Sequence, residues 1–176
     1  MEYKFCKPEA GLVLTDGQEI SGYASVFGLR DKGGDTVLRG AYGASLQRLA
    51  ARGDKVRMLW QHDPAQPIGI WDEVFEDAHG LFVKGRLLPD VARAREALAL
   101  VQAGALDGLS IGYRTLRAQA LATGGRSLIE LELWEVSLVT FPMQTQARLG
   151  AKSGLLADLA MATASLRDAR DAVARL

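Results

Sequence analysis

The residues best suited to chemistry are a serine, two histidines and a few carboxylates. Ser110 stands in Gly108-Leu109-Ser110-Ile111-Gly112, which matches G-x-S-x-G. A serine hydroxyl is a weak nucleophile and needs a base within hydrogen-bond reach. In α/β-hydrolases this pattern marks a nucleophile elbow, with a strand before the serine, a helix after it, and the order Ser, acid, His. Here a helical segment precedes Ser110, β-prone residues (IGYRTL) follow it, and no histidine lies beyond it. The two histidines of the chain are His62 and His79. Any relay must therefore run His first and Ser later, which excludes the elbow.

His62 is the better base of the two. It ends an apolar β segment (MLWQHD) shortly before Pro64, where a side chain can point into a cleft. His79 sits beside Gly80 in a hairpin turn and is expected to be solvated. The plain alternative for His62 is a core or loop histidine with a satisfied hydrogen bond. A third group must hold the imidazole and stabilise its cation. Asp63 adjoins His62, but adjacent side chains of an extended chain point to opposite faces. Glu135 is the sole charged residue from Leu133 to Gln146. By alternation it shares a face with Leu131, Leu133, Ser137 and Val139. A buried carboxylate needs donors, and a catalytic histidine would be one. An exposed edge position, or an ion pair with an arginine, would also explain it. Cys6 is a weaker nucleophile candidate, with no histidine near it in sequence. Gly33-Gly34-Asp35 lacks the G-K-[ST] of a phosphate loop and reads as a surface turn. No spacing of His, Asp and Glu suggests a metal, so neither metal nor cofactor is expected.

Short β segments must position these groups. They are predicted at 18–27, 56–61, 67–75, 80–88, 108–117 and 127–141, with a turn at 77–80 and a polar connection at 119–126. Helices are predicted over 41–52, over 90–103 with Pro89 and Asp90 at its start and Gly104 as its stop, and over 154–176. In the last, Leu155, Leu159, Ala162, Leu166, Ala169, Val173 and Leu176 step alternately by four and three, which is a heptad seam. The pattern suggests an α+β, mainly β protein: a β-barrel or sandwich carrying inserted helices.

With 176 residues, 48% hydrophobic and 24% charged, the chain has the make-up of one soluble globular domain with at most a short appendage. Lys+Arg and Asp+Glu balance at 21 each, which argues against non-specific nucleic-acid binding. A single cysteine allows no internal disulfide and no Cys-based zinc site. A reducing, cytoplasm-like compartment follows from this. No N-terminal signal segment and no run long enough to cross a membrane is seen.

Read together, GYASVFGLRDKGGD, LRGAY (38–42), MLWQHD, PIG (67–69), GLFVKGRL, ALVQAGALDGLSIGY (99–113) and LWEVSLVTFP (133–142) resemble the prohead proteases of tailed bacteriophages. The fold of that family is similar to that of the herpesvirus assembly proteases. The ordered pieces cover about 21–147. The resemblance implies a herpesvirus-protease-like β-barrel with inserted helices; the C-terminal helix lies outside it and is read from the heptad seam alone. Together they make residues 1–150 a serine protease domain and 151–176 a helical segment. It also implies that His62 and Ser110 form the catalytic pair, with Glu135 where the herpesvirus relatives carry a second histidine. The sequence departs from the family at PMQTQA (142–147), where Pro-Ala-Asn is usual, close to the expected oxyanion site. Such enzymes act inside the immature shell, in the bacterial cytoplasm. They cleave the scaffold part of the major capsid protein, and often themselves, in phages, prophages and gene-transfer particles. For 154–176 the expectation is a docking helix, pairing with a helical scaffold segment or with a second copy of the chain; a terminal helix packed on its own domain is the plain alternative. A catalytically inactive assembly protein and a general serine esterase are the rival readings.

Overall fold

The computed structural model describes residues 17–122 and 124–141 in full and the backbone of 2–6 and 13–15. The heptad seam at 154–176 and the PMQTQA departure lie outside the described residues, as does the proposed division at 150.

The strands are β1 (Glu2–Cys6), β2 (Val13–Thr15), β3 (Glu19–Val26), β4 (Thr36–Val37), β5 (Arg57–Trp60), β6 (Asp63–Glu76), β7 (Gly80–Leu87), β8 (Gly108–Ala120) and β9 (Arg126–Val139). Two helices, α1 (Gly43–Arg52) and α2 (Ala92–Gln102), are inserted among them. One sheet runs in the order β1-β8-β9-β5-β6-β7-β3-β2, with β4 added to β9. The sheet curls until β3 lies against β8 and β1. The mainly β, barrel-like expectation holds.

The differences from the sequence reading have local causes. Strand β6 begins at Asp63, well before the predicted 67, because it pairs with β5 directly across a two-residue turn. Helix α2 starts at Ala92, after Val91 in an extended conformation. Pro89 opens a β-turn instead, closed by the Val91 N–H on the Leu88 carbonyl at 3.0 Å. The end was legible. Gly104 is left-handed (φ 70°), and the Ala105 N–H reaches back to the Leu100 carbonyl at 2.8 Å. Helix α1 ends the same way, with Gly53 left-handed (φ 70°) and the Asp54 N–H on the Leu49 carbonyl. At its start Ala41 and Tyr42, predicted helical, precede the helix. The Ala41 carbonyl accepts the Leu131 N–H at 2.9 Å, and Ser45 Oγ accepts the Leu133 N–H at 2.9 Å. Along that edge of β9, partners therefore follow one another: β4, the start of α1, then β5.

Strands β8 and β9 run longer than the predicted 119–126 connection allowed, with Ala120 still opposite Arg126. The GGD segment is a surface turn clipped to the tip of this hairpin. Asp35 pairs with the Arg126 guanidinium at 2.6 Å, and Arg30 donates to the Gly124 carbonyl at 2.7 Å.

Alternation fixes the two faces of the central strands. Met58, Leu109, Ile111, Val136 and Leu138 enter the apolar core. Ser110, Ser137 and Glu135, the residues between them, lie on the other face. One expectation is corrected here. Tyr113 pairs with Leu133 and Gly112 with Glu135, so Trp134 is an extra residue. Such a bulge resets the alternation. Leu131 and Leu133 join the core, and Glu135 does not share their face.

Candidate active site

The tight turn between β5 and β6 carries His62. Trp60 pairs with Asp63, leaving Gln61 and His62 as the two central residues. Both have positive φ, 51° and 62°. That is the requirement of the type I′ hairpin turn, which normally selects Asn or Gly. Two non-glycine residues in this region carry strain, and strain of that kind collects at functional sites when the surroundings impose it.

The surroundings here are the C-terminal half of β9. The Gln61 N–H donates to the Leu138 carbonyl at 3.0 Å. The Gln61 side chain donates to Thr140 Oγ1 at 2.6 Å and accepts from the Thr140 N–H at 3.3 Å. The His62 N–H donates to Ser137 Oγ at 3.1 Å. His62 Nδ1 lies 2.5 Å from Glu135 Oε1. An ionised carboxylate can only accept, so in the neutral ring Nδ1 carries the proton and Nε2 is the basic nitrogen.

Glu135 is 1% exposed. Its second oxygen accepts from Ser137 Oγ at 2.6 Å. Each carboxylate oxygen thus has a donor, which is what allows a charge to be buried in an apolar strand. The arginine ion pair considered from sequence is not the arrangement found. The histidine is.

Ser110 lies one strand over, directly opposite Ser137, and is fully buried. Opposed residues of an antiparallel pair project from the same face, with Cβ atoms about 5 Å apart. Opposite Glu135 stands Gly112, which adds no side chain to the space between the carboxylate and β8. Ser110, Ser137, Glu135 and the His62 turn therefore gather on one patch of one face.

The other sequence candidates fall elsewhere. Asp63 turns along its own chain, accepting from the Ala65 N–H at 2.9 Å and from Gln66 Nε2 at 2.9 Å. His79 lies in the β6–β7 turn and is half-buried rather than solvated, edge-on to Tyr23 at 4.5 Å between centroids. Cys6 ends β1 opposite Leu109 in register. The sequence reading gave no role to Gln61 or Ser137. Ser137 carried a signal, as a polar residue two positions from an isolated carboxylate.

The chain is thus a mainly β sheet curled around an apolar core, with a histidine turn pinned beside a buried carboxylate and a serine on the next strand. Superposition on the capsid assembly protease of bacteriophage T4 gives a TM-score of 0.65 at 13% identity, over 80% of this chain and 97% of that one. Residues 6–159 match the family described as caudovirus prohead serine protease, and the chain belongs to that family. It is 36% identical over 141 residues to the prohead protease of Enterobacteria phage HK97, an alignment covering 77% of this chain. The chain spans 61% of that relative's length.

Proposed function

We propose that this chain is a serine endopeptidase that cleaves the scaffold part of the major capsid protein, and itself, inside the immature shell of a phage-like particle. Ser110 Oγ attacks the scissile carbonyl while His62 Nε2 takes its proton. The same nitrogen then returns the proton to the leaving amine, and water releases the acyl group by the reverse sequence. Glu135 holds the imidazole through Nδ1 and stabilises the cation formed in both steps. The observation that carries this reading is the 2.5 Å contact of His62 Nδ1 with a buried carboxylate whose other oxygen is already occupied. That contact fixes the tautomer that leaves Nε2 as the basic nitrogen. Family membership supplies the biological setting.

Co-expression with the capsid protein of the same particle, followed by mass measurement of both chains, tests the reading. A capsid protein shortened at its scaffold segment by the wild type, and left whole by Ser110→Ala, is the expected result. Shortening by both proteins would remove Ser110 from the mechanism. A protease chain of unchanged mass would remove self-cleavage.

A further inference from the structure

Two serines face one another across β8 and β9, and the relay uses only one. Ser137 is fully buried, yet both capacities of its hydroxyl are committed. It accepts from the His62 N–H at 3.1 Å and donates to Glu135 Oε2 at 2.6 Å. Its proton is therefore held by the carboxylate, and the imidazole contacts the same carboxylate through the other oxygen. Ser137 is not placed as a second nucleophile.

A hydroxyl in this position closes a ring. The backbone of His62 is tied to Ser137 Oγ, Ser137 Oγ to Glu135, and Glu135 to the imidazole of His62. The ring joins the main chain of one residue to its own side chain through β9. It fixes the left-handed turn (φ 62°) and the carboxylate rotamer together. Neither would be held so by the Nδ1 contact alone, because a glutamate has three side-chain torsions and a non-glycine residue at positive φ resists its conformation.

We propose that Ser137 is a positioning residue of this active site. It acts through Glu135 and the His62 backbone, holding the imidazole where Nε2 can take the proton of Ser110. The proposal rests on the reading of Ser110 as nucleophile and adds a residue to it. Displacement of a reacting group by about 1 Å costs on the order of 10²-fold in rate. Loss of the hydroxyl should therefore appear in the chemical step and not in binding.

The test uses the full chain and a fluorophosphonate reagent, with the labelled residue mapped by mass spectrometry. Wild type, Ser137→Ala and Ser137→Thr are compared for the first-order labelling rate at saturation and for the reagent concentration at half-saturation. The wild type should be labelled on Ser110. Ser137→Ala should be labelled on the order of 10- to 100-fold more slowly, with half-saturation within about threefold of wild type. Ser137→Thr, which keeps the hydroxyl on a strand that suits a β-branched residue, should recover most of the rate. Labelling of Ser137→Ala at the wild-type rate, or a loss confined to half-saturation, overturns the positioning role and leaves Ser110 standing. If the alanine variant does not fold, the threonine variant decides. Folded but slow labelling of it would also overturn the role. Label on Ser137, or none on Ser110 of the wild type, overturns the nucleophile assignment itself.

Discussion

Replacing Glu135 by glutamine changes almost no volume, yet the local hydrogen-bond pattern cannot absorb the change. The carboxylate faces two donors, His62 Nδ1 at 2.5 Å and Ser137 Oγ at 2.6 Å. A primary amide has one oxygen and one NH₂. If its oxygen faces His62, the NH₂ points at Ser137 Oγ, which must accept it. That hydroxyl already accepts the His62 N–H, so its own proton loses its partner in a buried place. The cost to stability is about 1–3 kcal/mol. If instead the NH₂ faces His62, Nδ1 becomes the acceptor and the proton moves to Nε2, which can then take nothing from Ser110. In either arrangement the imidazolium loses its counter-charge. Conversion of a triad acid to its amide sets the upper end of the expected loss at about 10⁴-fold in kcat, and about 10²-fold is the lower end. At about 1.4 kcal/mol per tenfold, that is ~3–5.5 kcal/mol of transition-state stabilisation. Single-turnover cleavage of the capsid precursor by the folded variant measures it. Asp63→Asn is the control, since Asp63 bonds to Ala65 and Gln66 and leaves the imidazole alone. Its rate should stay within about tenfold of wild type. Cleavage by Glu135→Gln at the wild-type rate, or a larger loss in Asp63→Asn, would refute the reasoning and move the third role to Asp63.

Ser110→Ala should remain folded and lose several orders of magnitude in precursor cleavage, read as persistence of the uncut capsid protein. Gly80→Ala should be destabilising, because a Cβ there would lie 2.1 Å from the Ser25 carbonyl oxygen across the β3–β7 pair. A drop of about 1–3 kcal/mol or more in urea unfolding is expected, and an unchanged midpoint would mean the strands can separate at no cost. The Tyr23 hydroxyl donates to Asp77 Oδ2, and that bond, aided by the Gly80 and His79 backbone amides and the His79 charge against an opposing desolvation, holds the Asp77 carboxyl below its usual range. The Tyr23 phenol is raised, first by the same hydrogen bond, then by burial and by the Asp77 charge. A depressed acid stabilises above its unfolded pKa and loses this as pH falls through the folded value. A raised phenol stabilises below its unfolded pKa and loses this as pH rises through the folded value. The melting-temperature gap between wild type and Tyr23→Phe should therefore be widest between about pH 5 and 9 and narrow on both sides. A gap independent of pH from 3 to 11 would show the hydroxyl contributes nothing through Asp77.

The candidate residues stood out in sequence because each depends on a local contradiction. Glu135 is a charge where the strand is otherwise apolar, and chain order alone forces His62 to precede Ser110. The barrel-like sheet was legible too, because glycines and short β segments alternate through it. What was not legible depends on pairing across distance. The bulge at Trp134 exists because β8 and β9 meet with one residue too many, and nothing within LWEVSLV announces that. Carrying the alternation through it assigns Leu131 and Leu133 to the wrong face. The His62 turn was hidden for a related reason. Gln-His lacks the Asn-Gly that marks a two-residue hairpin, so local propensity places no turn there. The turn forms because residues 135–140 supply bonds to it from another strand. That is also why it suits the proposed relay. A turn that formed by its own propensity would need no carboxylate to complete it. This one is held in its left-handed shape by bonds from β9, and the same strand sets the buried Glu135 against His62 Nδ1.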